Sequence, residues 1–273
     1  MRLRATAFAV FSSRPVPNRR PLVAINGGML FDHSMLWPAL APLAATRQLI
    51  LYDQRGRGQS SVPSDPATST IEDDAADVGA LRRALGIRQW DVLGHSWGGG
   101  IAMLAAAADR VGTGKLVTVD SVGPTSDWIP LLRRNALSRL SGELRNRLER
   151  LDEGALTSPD AEVHAEQTQA IYPAWFSDAD MGLRFTLPRV VNETGAAVLA
   201  RLRAQHYDWR RELTAIRAPA LVIHGSDDPL PVETAFQLVS LIPDSIPAVI
   251  PDAGHMPFWE APDVFFPLVE SFL

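Results

Sequence analysis

The chain has 273 residues, 46% of them hydrophobic and 21% charged, with a formal net charge of −5 and no cysteine. That length suits one α/β domain with room for an insertion. The acidic balance argues against nucleic acid as a main partner, and the missing cysteines exclude disulfides, thiolate chemistry and cysteine-ligated zinc; a cytoplasmic location is the default expectation.

In chain order, residues 3–11 alternate apolar positions (Leu3, Ala5, Ala7, Ala9, Phe11) with Arg2, Arg4 and Thr6. The pattern predicts a strand rather than a signal peptide, whose apolar run would be longer and followed by a cleavage site. No run approaches the roughly 20 apolar residues needed to span a bilayer, so no membrane partner is expected. Residues 21–26 and 48–53 are compact apolar runs stopped by Gly27-Gly28 and by Arg55-Gly56-Arg57-Gly58, as buried parallel strands would be. Ser69-Thr70-Ile71-Glu72 reads as a capping box opening a helix along Ile71, Ala75, Val78, Leu81 and Leu85, with Gly86 at its end. Further strands are predicted over 89–93, 115–120, 219–224 and 246–250, and helices over 232–241 and 262–273.

This alternation predicts an α/β fold, a mostly parallel central sheet with helices on both faces. Between residues 124 and 213 it stops. Leu137, Leu140, Leu144, Leu148 and Leu151 form one apolar stripe in an Arg- and Glu-rich stretch, predicting an amphipathic helix. The expected organisation is a core of residues 1–123 and 214–273 with a helical cap insertion, 124–213, over the carboxyl edge of the sheet, where ligands bind in such folds.

The chemistry centres on Gly94-His95-Ser96-Trp97-Gly98, a G-x-S-x-G pentapeptide between a strand and an Ala-rich helix. Such a turn pushes the serine out of the sheet with backbone N–H groups beside it. A serine hydroxyl needs a neighbouring base, itself oriented by a third group. Of His33, His95, His164, His206, His224 and His255, the last lies in a loop between the final strand and final helix and is the candidate base. Asp227 and Asp228 after one strand, and Asp120 after another, are candidate acids. Oxyanion donors are expected from the Trp97 N–H and the loop Asn26-Gly27-Gly28-Met29. Gly56-x-Gly58 lacks a P-loop lysine–serine pair, and Glu162, His164, Glu166 and His206 have no ligand spacing, so neither metal nor cofactor is expected.

Together these segments resemble the α/β-hydrolase superfamily, and within it the proline iminopeptidase-like branch. Asn26-Gly27-Gly28-Met29-Leu30 with His33 is similar to that branch's H-G-G-P-G-x-x-H loop. Asp53-Gln54-Arg55-Gly56-Arg57-Gly58-Gln59-Ser60 resembles its D-Q-R-G-x-G-x-S segment. The elbow matches, including the tryptophan after the serine, and Ala253-Gly254-His255-Met256-Pro257 resembles the histidine loop. His224-Gly225-Ser226-Asp227-Asp228 resembles H-G-x-x-D, and this together with the order Ser…Asp…His selects Asp228 as the acid.

The resemblance implies a cofactor-free serine hydrolase of a small-molecule ester or amide, with Ser96, His255 and Asp228 as triad and Gly28 and Trp97 as oxyanion donors. Glu193 is the nominee for a substrate amine, and His33, Trp128 and Trp175 for other substrate contacts. Asn26, Met29, Leu30 and Pro229 depart from the branch's pattern, leaving a carboxylesterase or lactonase as the alternative to an aminopeptidase. A non-hydrolytic binding protein on the same fold is the reading from another class.

Overall fold

Residues that are neighbours along each strand point to opposite faces, and here both faces are apolar. A computed structural model describes residues 7–151, 158, 160–185 and 187–273. Its strands are β1 (Val10–Ser12), β2 (Leu22–Ile25), β3 (Leu49–Tyr52), β4 (Trp90–His95), β5 (Thr113–Val119), β6 (Ala220–Gly225) and β7 (Ser245–Ile250). They form one seven-stranded sheet in the order β1-β3-β2-β4-β5-β6-β7. Only β1 runs antiparallel to its neighbour; the other pairs are parallel, with Ile25 opposite Gly94 and His95 opposite Val119.

Val23, Ile25, Val92, Leu116 and Val222 face one apolar cluster, while Leu22, Ala24, Leu93, Val117 and Leu221 face another. The first is closed by helices α1 (Ile71–Ala84) and α2 (Trp97–Ala108), through Val78, Leu81, Ile101 and Met103. The second is closed by Leu36, Leu40 and Leu43 and by Phe265 and Val269 of the last helix, Pro262–Phe272. Each fully buried side chain of this size is worth about 1.5–3 kcal/mol. Of the predicted first strand, residues 1–6 lie outside the described residues. The pairing that is described begins with the Ala7 and Ala9 carbonyls, which accept from Ser61 and Asp53 N–H at 2.9 and 3.0 Å.

Two expectations shift. The capping box of α1 is Thr70 with Asp73, one residue later than predicted: Thr70 Oγ1 accepts from Asp73 N, and Asp73 Oδ2 from Thr70 N. Ser69 is instead used to close the preceding turn, its N–H donating to Pro66 O at 3.2 Å. The leucine stripe spans two helices rather than one, α3 (Ile129–Arg139) and α4 (Gly142–Glu149), because Leu140 turns extended (ψ 150°) and Gly142 takes φ +53°. The stripe survives as packing: Leu140 and Leu148, flanked by Leu137, Leu144 and Leu151, meet Ala170 and Ala174.

Between β5 and β6 the described residues also form α5 (Ala161–Ile171), α6 (Ala179–Arg184), α7 (Glu193–Gln205) and α8 (Arg210–Leu213). A single bridge, Thr125 to Asp208, ties the two ends of this helical segment together. Trp209 N donates to Pro124 O at 2.8 Å beside it. The Trp97 and Trp128 rings meet edge-on at 5.4 Å, and Trp128 Nε1 donates to Tyr207 Oη at 2.6 Å. No helix among the described residues is long and apolar enough to cross a membrane.

Packing is tight at the turn between β4 and α2. A methyl group on Gly98 would stand 2.2 Å from the Ile25 carbonyl oxygen, whereas on Gly79 of α1 it would meet side chains, the Arg83 guanidinium at 3.3 Å and the Asp109 carboxylate at 3.4 Å. Gly98→Ala is therefore expected to lower the unfolding free energy by about 1–3 kcal/mol or more. Gly79→Ala, in a helix interior, is expected to raise it by up to about 1 kcal/mol. Urea titration of both variants distinguishes backbone overpacking from mere loss of glycine.

Candidate active site

Ser96 sits at φ 56°, ψ −125°, a left-handed conformation rare for a residue with a side chain and costing on the order of 1–3 kcal/mol. The strain is held by what surrounds it. Ser96 N donates to Val119 O of the neighbouring strand at 2.9 Å, and Gly99 N closes onto Ser96 O at 2.9 Å. The loop after β2 comes so close that a Cβ on Gly27 would lie 2.5 Å from Ser96 Cβ and 3.1 Å from its Oγ. Among the described residues the Ser96 hydroxyl makes no hydrogen bond; it opens onto a cavity of about 120 Å³ that His255 also lines.

His255 is almost wholly enclosed. Its Nδ1 is 2.7 Å from Asp228 Oδ2, so the N–H on that side donates to the carboxylate and the lone pair is left on Nε2. Burial pushes its pKa down to about 3, so the ring is neutral at physiological pH. Two further groups fix the loop. His95 Nε2 donates to the His255 carbonyl at 2.8 Å, and His255 N donates to Trp175 O at 2.6 Å, with the Trp175 ring 4.1 Å from the imidazole. His95 is itself kept neutral, at about 3, chiefly by desolvation.

The three candidate acids separate clearly. Asp228 holds His255 and accepts from Leu230 N at 2.8 Å. Asp227 turns to the helical segment, where Ser177 Oγ donates to it at 2.6 Å. Asp120 lies behind Asp228, its Oδ1 accepting from Gly225 N at 2.7 Å.

Gly28 and Trp97 both line the cavity, and among the described residues neither N–H donates to another protein atom; Trp97 is the first residue of its helix, where the amide has no intrahelical partner. The loop carrying Gly28 (φ +74°) is braced from below by the segment after β3. Gln54 Nε2 donates to Asn26 O and Arg57 Nε to Met29 O, both at 2.9 Å, while the fully buried Arg57 grips Asp74 with two bonds of 3.0 Å. The sequence placed this segment as a turn; its bracing role lies in contacts that linear spacing does not carry.

Trp128 and Trp175 line the cavity. Two nominees do not. His33 is turned away, its Nδ1 2.7 Å from Asp53 Oδ1 and its ring stacked on Phe11 at 3.6 Å. Glu193 is exposed in the first turn of α7, the helix that Asn192 caps, while Thr194 to Ala196 are buried.

Reasoning from sequence also missed the polar side of the cavity, formed by His164, Gln167, Thr168 and Arg203 from α5 and α7 with Arg133 from α3. Arg203 Nη1 donates to Gln167 Oε1 at 3.4 Å, which turns the Gln167 amide so that its Nε2 has no partner among the described residues. No aspartate or glutamate among the described residues lines this cavity. Among the described residues two triplets have metal-ligand composition, Asp32–His33–Asp53 and Asp120–His224–Asp228. Most of their donor atoms are already used: Asp53 accepts from the ring and backbone of His33 and from Gln59 N, and Asp228 from His255 and Leu230.

A family model described as alpha/beta hydrolase fold matches residues 20–262. The chain is 26% identical over 266 residues to a proline iminopeptidase of Heyndrickxia coagulans, covering 93% of this chain and 90% of that protein. It is 31% identical over 248 residues to the putative carbamate hydrolase RutD of Shigella flexneri, covering 86% and 84%. Among solved structures, a Mycobacterium smegmatis proline iminopeptidase superposes with TM-score 0.76 at 24% identity, covering 98% of this chain and 95% of that one. An enol-lactonase of Burkholderia xenovorans LB400 gives TM-score 0.71 at 23% identity, covering 98% and 96%.

The His95–His255 bond has a measurable weight. His95→Phe fills the space but leaves the His255 carbonyl buried without its donor, a loss of about 1–3 kcal/mol. A urea midpoint lowered to match is expected, with little change in the slope of the transition.

Proposed function

The chain belongs to the α/β-hydrolase fold family, and from that premise we propose that it is a serine hydrolase of small esters or lactones working through an acyl-enzyme on Ser96. The observation that carries the choice of substrate is the cavity wall. It joins the serine and the neutral imidazole to two arginines and a glutamine, with no carboxylate among the described lining residues. A peptidase that selects a free amino terminus needs a negative charge to hold it, since an ammonium taken from water unpaired costs several kcal/mol. Glu193 is too exposed to serve. An ester or lactone, neutral or carrying oxygen acceptors, suits this lining, with the Gln167 Nε2 as a ready donor.

The mechanism in this reading uses the groups that line the cavity. Ser96 Oγ adds to the acyl carbon as its proton passes to His255 Nε2. The imidazolium formed is stabilised by Asp228, which keeps its position on Nδ1 and does not itself take the proton. Negative charge builds on the carbonyl oxygen and is met by the unpaired amides of Gly28 and Trp97, each such donor being worth about 3–4 kcal/mol in the transition state. Collapse expels the alkoxide, which takes the proton from His255. A water molecule then repeats the sequence on the acyl-enzyme, returning the free serine and a carboxylic acid.

Ser96→Ala is expected to lower turnover of short acyl esters on the order of 10⁶-fold with an unaltered melting temperature. A fluorophosphonate should label the wild type and not the variant; equal hydrolysis by both, or an unreactive wild-type serine, would reject the assignment and favour a binding protein.

A panel of acyl esters, lactones and proline arylamides tests the substrate class. Glu193→Gln is expected to change kcat/KM by less than about twofold on every member, because an exposed side chain outside the cavity contributes little. A preference for free-amine substrates that this variant abolishes would restore the aminopeptidase reading.

A further inference from the structure

Asp120 is a buried carboxyl that the mechanism above does not use, and it lies against the one that the mechanism depends on. Its position was forced by the sheet: β5 ends one residue earlier, Asp120 takes φ +45°, and its N–H donates to Ile223 O of β6 at 2.9 Å. The side chain is thereby turned under the loop that bears Asp228, both carboxyls having no solvent exposure.

The hydrogen-bond inventory of the pair is incomplete by one proton. Asp228 Oδ1 accepts from Leu230 N and Oδ2 from His255 Nδ1; Asp120 Oδ1 accepts from Gly225 N. Asp120 Oδ2 is buried with no donor of any kind among the described residues. His224 stands beside both carboxyls, its Nδ1 3.8 Å from Asp120 Oδ1 and its Nε2 3.9 Å from Asp228 Oδ2, yet it supplies nothing. Its Nε2 proton goes to Leu230 O at 2.9 Å, which leaves Nδ1 a bare lone pair. The other charged groups felt by the pair are Glu260, which adds repulsion, and Arg139, whose guanidinium is bonded to the carbonyls of Phe176 and Ser177. Two carboxylates in this enclosure would carry two unscreened negative charges side by side, which burial and like charge both oppose.

We propose that Asp120 is a positioning residue: it is held as the neutral acid, and its Oδ2–H donates to the Asp228 carboxylate, holding that carboxylate in line with His255 Nδ1. The pair thus carries one proton and one negative charge, and that charge is what the imidazolium meets in the transition state. Desolvation, followed by the neighbouring Asp228 charge, raises the Asp120 pKa well above the ordinary carboxylate range, in the same direction. The role in turnover rests on the serine-hydrolase reading, whereas the shared proton does not.

The linkage sign is fixed by the arrangement. Folded Asp120 keeps a proton that the unfolded chain releases near the ordinary carboxylate value, so above that value stability falls as pH rises toward the raised folded value. Asn at position 120 reproduces the neutral acid, with Oδ1 for Gly225 N and Nδ2 to donate to Asp228, and has no proton to lose.

The test is infrared difference spectroscopy of the whole protein, wild type minus D120N, at neutral pH. A carboxylic-acid C=O stretch present in the wild type and missing in D120N is expected. D120N is also expected to melt no lower than the wild type, with the gap growing in its favour as pH rises. It is expected to keep kcat within about threefold, whereas D120A loses at least tenfold, with KM changed less than kcat. The proposal is overturned if the wild type shows no such band, if the band persists in D120N, or if D120N loses as much kcat as D120A. The infrared and melting results do not depend on turnover, so they separate failure of this proposal from failure of the functional reading.

Discussion

The close approach of three backbones at Ser96 is the constraint on which the site depends. The serine occupies a left-handed conformation that its own side chain disfavours, and only residues without side chains leave room for it. Gly27 lies against its Cβ, Gly94 against the Gly98 carbonyl, and Gly98 against the Ile25 carbonyl, each at a distance no methyl group would tolerate. The turn is therefore held by the two strands that flank it, β2 and β5, as well as by its own hydrogen bonds. Apolar burial on both faces of the sheet offsets a strain of this size many times over, which is why the turn can be rigid. Rigidity matters because an oxyanion donor displaced by an ångström has lost most of its value.

Much of this was legible in the sequence because it rests on local chemistry. Continuous apolar runs stopped by glycine gave the parallel strands, and the pentapeptide with its flanks gave the turn. What was not legible depended on distance. Of the three aspartates at strand ends, chain order and the H-G-x-x-D resemblance pointed to Asp228 but said nothing of what the other two do; space gives each a different partner, His255 for Asp228, Ser177 for Asp227 and the Gly225 amide for Asp120. His33 had the right residue type, but its ring is taken by Asp53 and it does not line the cavity. Glu193 lies off the cavity because α7 docks through Thr194 and Gly195, against Gly56 and Met29, which leaves the preceding residue exposed. The leucine stripe was read as one helix since periodicity records which residues share a surface, and a break at Leu140 preserves that surface.

Burial also sets the charge states. Three imidazoles around the site, His95, His224 and His255, are all pushed below the ordinary histidine value by desolvation. Two of them place their single proton on a backbone carbonyl, at His255 and at Leu230, and so act as fixed struts rather than titrating groups. The enclosure that keeps them neutral makes an unpaired carboxylate expensive as well. One negative charge beside one latent positive charge is the arrangement that such an enclosure favours, and it matches the charge separation that proton transfer from a serine creates.

The helical segment between β5 and β6 is bound into this arrangement rather than laid over it. Trp175 gives its carbonyl to the His255 amide and its ring to the imidazole face, and a Cβ at Gly254 would stand only 2.4 Å from that same carbonyl. At the other end of the segment, Trp128 packs on Trp97, the residue whose amide adjoins the serine. The segment thus touches His255 from one side and Trp97 from the other. Any displacement of the turn at Tyr172–Trp175 would carry the imidazole with it, so substrate entry that depended on lifting this turn would dismantle the site it serves. The cavity residues of α3, α5 and α7 belong to a part of the wall that does not bear on His255 and can vary without disturbing the imidazole.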